Sequence, residues 1–271
     1  MKDLTTLAML RGDVAHVVLA EALRAVRSGG VMTVEAAAGR VTEIIRQRYM
    51  ESKRRLWHHQ HRPEGRKMNE FTRLLEHYYD FPDTDTRALE ARDVARASVE
   101  NALKSDFWAG LISTDSSKWV EIEEGQFSSF DVDGIQVYAK LDFASSDQVP
   151  MIIDWKTGKP AEQDRRQLIV YSMYARARWE WEPERCRLVA AYLHPELDVV
   201  EFTPSSEDVE DARGEILASF GQMLELEPVH GPADIENFPV ADTSQPCVWC
   251  RFQGICEGAA RIRESGPDAT D

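Results

Sequence analysis

The stretch "MIIDWKTGKP", Met151–Pro160, decides how this chain is read. It begins as a buried β-strand should, then places Asp154 and Lys156 where apolar side chains are expected. Alternate side chains of a strand share a face, so Ile152, Asp154 and Lys156 project one way and Met151, Ile153 and Trp155 the other. The preceding run "IQVYAKLDFA" also alternates, with Val137, Ala139, Leu141 and Phe143 apolar and Tyr138, Lys140 and Asp142 opposite them. A hairpin centred near Gln148 sets Asp142 across from Asp154 on one face. Two carboxylates so close repel, unless a divalent cation neutralises both, so the pair reads as a hard-metal site for Mg²⁺ or Mn²⁺ with Lys156 beside it. Such a site suits phosphodiester hydrolysis. The alternative is an ion pair on a solvated face, worth under about 1 kcal/mol.

Outward from this strand, the segments 3–28, 33–58, 68–80 and 86–105 carry apolar residues at helical spacing, so the first third is mostly helical. From Trp119 the period becomes two. The runs "WVEIEE", "QFSSFDV", "IQVYAKLDFA" and "VPMIIDWK" read as strands, with Asp133-Gly134 as a hairpin turn. Helix returns over 162–181, "RLVAAYL" and "VVEFTP" read as strands, and 205–225 as a last long helix. After about Pro228 the chain is loop-rich.

The chain has 271 residues, 43% hydrophobic, enough to bury a real core. Its formal charge of -15 excludes a generally basic nucleic-acid coat, so any such surface must be local. One basic run exists, with Arg46, Arg48, Lys53, Arg54, Arg55, Arg62, Arg66 and Lys67 against Glu51 and Glu64. Tyr49 and Trp57 lie within it, available to stack on bases; the alternative is a solvated helix face followed by a loop. No apolar run approaches the length of a membrane span, and the amino terminus lacks signal-peptide features, which reads as a cytoplasmic protein with no membrane partner.

Four motifs together resemble the RecB-type nucleases of the PD-(D/E)XK superfamily, in their iron-sulfur branch. "LDFA" followed by "IIDWKTGK" is similar to the family's metal-binding Asp and DxK strand, here Asp142, Asp154 and Lys156. "QLIVY" is similar to its Q-x-x-x-Y helix, with Gln167 and Tyr171 at i and i+4 sharing a face with Gln163 and Tyr174. "GDVAH" is similar to G-x-x-x-H, here Gly12 and His16, and "CVWCRFQGIC" to the tail that ligates a [4Fe-4S] cluster through Cys247, Cys250 and Cys256.

The resemblance implies an α/β fold with a restriction-endonuclease-like core: a mixed sheet flanked by helices, a helical region over 1–110, the nuclease core over 111–227 and a cysteine tail over 228–271. It implies Mg²⁺ or Mn²⁺ held by His16, Asp142, Asp154 and the Trp155 backbone carbonyl, with Lys156, Gln167 and Tyr171 completing the catalytic set. DNA would be the partner, as single strands or ends, guided by Arg46, Arg48, Lys53, Arg54, Arg55, Trp57, Arg62, Arg165 and Arg166. A helicase or a repair or defence protein would be a further partner, and exonucleolytic trimming the activity. The rival is an inactive DNA-binding or helicase-accessory module of the same fold.

The sequence departs from the family in two places. A cubane cluster takes four thiolates, and the fourth would come from upstream of the G-x-x-x-H helix, a segment expected to lie outside this chain. The remaining cysteine, Cys186, opens a core strand and reads as a buried free thiol. An incomplete cluster, a zinc site completed by a histidine such as His230, and unmetallated thiols all stay open. Lys140 is the second departure, a further positive charge to hold phosphate or to pair with Glu121 or Glu123.

Overall fold

A computed structural model describes residues 3–123, 127–227 and 245–256. His230 and the rest of the cysteine tail lie outside these residues. The described helices are α1 (Leu7–Arg27), α2 (Val34–Lys53), α3 (Leu75–Tyr78), α4 (Thr84–Leu103), α5 (Asp106–Ile112), α6 (Glu162–Trp179), α7 (Ser206–Glu225) and α8 (Gln245–Val248). The strands are β1 (Trp119–Ile122), β2 (Ser128–Val132), β3 (Ile135–Ala139), β4 (Phe143–Ser145), β5 (Met151–Lys156), β6 (Arg187–Tyr192) and β7 (Asp198–Phe202). This is the mixed α/β architecture expected, with helices flanking a mixed sheet. The chain divides into two compact units, one of Met1–Leu10, Ile44–Ala91 and Leu226–Asp271, the other of Arg11–Glu43 and Arg92–Glu225.

In the second unit the five-stranded sheet runs in the order β1-β4-β5-β6-β7. β5 pairs antiparallel with β4 and parallel with β6, which makes it central, and both its faces are buried. On one face Ala144, Ile152, Leu188 and Ala190 pack with Leu168, Ile169, Tyr174 and Ala175 of α6, and with Val209 and Ala212 of α7. The opposite face carries Trp155, fully buried against Phe107 and Trp108. The sequence pattern ended helix at residue 105 and so missed α5. Its signal is Ser105, whose hydroxyl accepts from Trp108 N at 3.0 Å and starts a new helix there.

The run 135–144 is not one strand. β3 pairs only with β2 in a separate two-stranded sheet, through a turn in which Asp133 and Gly134 both take positive φ. The chain then passes to the main sheet over Lys140–Asp142. The sequence alternation, which sets Leu141 and Phe143 on one face, breaks at this point: Leu141 joins Ala139 and Ala144 in the core beside α6, while Phe143 packs on Trp119.

The segment 68–80 is also not a continuous helix. Thr5 bridges Leu74 in parallel, with Thr5 N donating to Arg73 O at 2.9 Å and Leu75 N to Thr5 O at 2.7 Å, and only Leu75–Tyr78 is helical beyond a short turn at Met68–Glu70. The competing interaction is Glu76: its buried carboxylate accepts from Leu7 N at 2.8 Å and so caps the first turn of α1 from a distance. Glu76→Ala is expected to lower the unfolding free energy by about 1–3 kcal/mol, measured by urea denaturation, because it strands a buried amide.

The described part of the cysteine tail is docked within the first unit by aromatic contacts. Tyr79 donates to Arg251 O at 2.9 Å and accepts from Gly254 N at 3.2 Å, and Trp249 packs on Phe81 beneath the Arg87 guanidinium. A Cβ on Gly254 would come 3.0 Å from the Tyr79 ring, so glycine permits this approach.

Candidate active site

The register β4 to β5 pairs Phe143 with Ile153 and Ala144 with Ile152, so the next step sets Asp142 beside Asp154, as the hairpin centred near Gln148 requires. Both side chains are buried, at 5% and 3% exposure, on the face that packs against α6. Asp142 is held on both oxygens: Oδ2 accepts from Trp155 N at 2.7 Å, and Oδ1 pairs with His16 Nδ1 at 3.0 Å. α1 brings His16 here. A Cβ on Gly12, one turn earlier, would sit 3.4 Å from Thr157 Oγ1, so a larger residue would press on the loop after Lys156.

Lys156 Nζ lies 2.6 Å from Asp154 Oδ2, off the angle of a regular hydrogen bond, so that oxygen is buried without a hydrogen-bond donor. The same ammonium donates to Gln167 Oε1 at 2.5 Å and pairs with Asp164 Oδ1 at 3.3 Å. Gln167 Nε2 in turn donates to Tyr171 OH at 2.8 Å. The structure therefore gathers His16, Asp142, Asp154, Lys156, Gln167 and Tyr171 into one cluster. Lys140 pairs with Glu123 Oε1 at 2.8 Å, which selects Glu123 over Glu121; Glu123 Oε2 is buried with no hydrogen bond.

Sequence reasoning missed two members, Asp164 and Tyr192, whose hydroxyl donates to Asp164 Oδ2 at 3.0 Å. Helical spacing puts Gln163 on the inner face of α6, one turn before Gln167, but Gln163 is exposed and Asp164 is turned inward instead. The available signal was the first-turn acid three residues before Gln167. Tyr192 carried no such signal, because its place beside Lys156 is set by the parallel pairing of β5 with β6.

The charges explain one another. Burial, then the charge of Asp142, holds the Asp154 carboxyl well above the usual carboxylate range, against the opposing pull of Lys156 and His16. Burial works to lower the Lys156 and His16 values but is overridden. Asp154 and Asp164 raise Lys156, which stays an ammonium, and Asp142, aided by Asp154 and Glu123, pushes His16 up to about 9. A histidine raised in the fold stabilises fully below its unfolded value and loses that contribution as pH rises through the folded one. The stability difference between the protein and its His16→Asn variant, measured with chelator present, is thus expected to shrink by about 2–3 kcal/mol between about pH 6 and pH 9.5.

Hard carboxylate oxygens, one lacking a hydrogen-bond donor, are the donor chemistry a divalent cation takes. Among the described residues, however, no three His, Cys, Asp or Glu side chains converge to hold an ion by themselves. The same holds for Cys247 and Cys250, half-buried, and Cys256, exposed; Cys186 is a buried free thiol whose value burial pushes up to about 11.

The basic run spends much of its charge internally. Lys53 pairs with Asp85, Arg55 with Asp80 and Arg66 with Glu70, while Trp57 is half-buried beside Tyr78. Tyr49 bonds Asp85 and its ring meets His77. Arg165 pairs with Asp208 over the Phe202 ring, and Arg166 with Glu162 and Glu215. Arg46 and Arg54 are exposed and Arg62 half-buried; Arg48 is half-buried as well. Among the described residues no helix is long and apolar enough to cross a membrane.

Among solved structures, a "Putative exonuclease" from Eubacterium rectale is similar over 56% of this chain and 66% of that one, at 10% identity and a TM-score of 0.35. The protein SSO0001 is similar over 65% of this chain and 80% of that one, at 17% identity and a TM-score of 0.33. No curated protein matches the sequence at a significant level. The model of the PD-(D/E)XK nuclease superfamily matches residues 3–257, which spans both units and every residue of the cluster. On that match the chain belongs to the PD-(D/E)XK nuclease superfamily.

Proposed function

We propose that the chain is a divalent-metal-dependent deoxyribonuclease, trimming single strands or ends as an exonuclease. One observation carries the reading: two buried carboxylates stand side by side with a fixed ammonium against one of them. His16, Asp142, Asp154 and the Trp155 carbonyl would hold Mg²⁺ or Mn²⁺. When bound there, the cation would supply charge against the phosphate and lower the pKa of water.

The chain's own groups do the rest. Lys156, kept charged by Asp154 and Asp164, is an electrostatic donor to the phosphate and not a base. Gln167 and Tyr171 orient that ammonium and fix the phosphate beside it. Arg46, Arg54 and Arg62 are the side chains of the basic run best suited to guide DNA, since the pairs above hold Lys53, Arg55 and Arg66.

The test uses end-labelled linear and circular single-stranded DNA, with Mn²⁺ or Mg²⁺. Degradation of linear DNA with sparing of circles supports an exonuclease. Cleavage of circles makes it an endonuclease, and binding without cutting under either metal makes it an accessory module.

A further inference from the structure

Resting on the reading of Lys156 as the ammonium of the nuclease site, we propose that Asp164, anchored by Tyr192, is the positioning residue that keeps Lys156 in place when Asp154 is engaged by a cation.

Three oxygens surround the Lys156 ammonium: it donates to Gln167 Oε1 at 2.5 Å and forms ion pairs with Asp154 Oδ2 at 2.6 Å and with Asp164 Oδ1 at 3.3 Å. Asp164 Oδ2 is already fixed from two sides, by Ala161 N and by the Tyr192 hydroxyl, both at 3.0 Å. Its other oxygen is thereby aimed at Lys156.

Helix capping alone does not account for this arrangement. Asp164 is the third residue of α6 and its side chain reaches back to the Ala161 amide, a task that a neutral Gln performs as well, and a carboxylate that only caps stays in water. Asp164 is instead 9% exposed, and the cost of burying its charge is offset by a cationic partner.

The arrangement has a use because Lys156 has two anionic partners and one of them has another task. A cation held by Asp154 would weaken that side chain's claim on the ammonium. Asp164, on a different element, would then retain it, so the flexible lysine stem need not be reordered during turnover.

The experiment observes the Lys156 ammonium by proton–nitrogen correlation in protein labelled on lysine nitrogen, with saturating Mg²⁺. The resonance is assigned by its loss in Lys156→Ala. The expected result is a slowly exchanging signal in the unmodified protein whose exchange accelerates about tenfold or more in Asp164→Asn. In that variant kcat should fall about tenfold while KM stays within about twofold. Tyr192→Phe, which leaves the carboxylate, should shift both readouts the same way by less. Glu162→Gln, at the same helix end, should shift neither.

Unchanged exchange and kcat in a folded Asp164→Asn overturn the proposal. If that variant does not fold, the same null result in Tyr192→Phe overturns it. A protein that cleaves no DNA, yet whose Lys156 signal depends on Asp164, refutes the nuclease reading and leaves the positioning role standing.

Discussion

Lys156→Ala is expected to leave a folded protein that binds DNA but cleaves it at least about 10²–10³-fold more slowly. The loss falls on kcat, because the ammonium is fixed by Asp154, Asp164 and Gln167 before any substrate arrives. Lys156→Arg should not restore it, since a planar guanidinium cannot meet acceptors arranged around a point charge. Asp154→Asn should lose cleavage to a similar extent while gaining stability. The Asp154 carboxyl is raised by burial and by Asp142, so in the fold its charged form is disfavoured relative to the unfolded chain. An acid raised in the fold costs stability as pH climbs above its unfolded value, and the neutral amide removes that cost. At about pH 8 with chelator present, Asp154→Asn is expected to gain about 1–3 kcal/mol by urea denaturation. Wild-type cleavage rates in both variants would remove this pair from the chemistry.

The second large effect is structural. Trp155→Ala should lower the unfolding free energy by about 3–5 kcal/mol, because the ring is 2% exposed and its removal leaves a cavity facing Phe107 and Trp108. Its amide would still donate to Asp142, as that bond belongs to the backbone. The fraction that stays folded should therefore keep its cleavage rate. A loss under about 1 kcal/mol would mean that the sheet closes around the gap without cost.

What could be read in the sequence was whatever depends on one element or one turn. The facing of Asp142 and Asp154 follows from alternation and a single hairpin centre, and the observed register agrees with it. Gln167 and Tyr171 meet because i and i+4 share a helix face. The Asp133-Gly134 turn and the buried thiol of Cys186 were legible for the same local reasons. What escaped depends on partners chosen across the chain. The break at Lys140–Asp142 is a change of sheet, the 68–80 helix is interrupted by pairing with Thr5, and Tyr192 reaches Asp164 only through the β5 to β6 register. The basic run was legible as a density of charge, but the aspartates that hold Lys53 and Arg55 come from a later segment.

The strand that carries the acid and the amine is also the middle strand of its sheet, paired on both edges and covered on both faces. Local opening of β5 would expose all of these at once. Its backbone amides should therefore exchange with deuterated water only when the whole second unit opens, and the spacing of Asp154 and Lys156 should survive any smaller fluctuation of the surrounding loops.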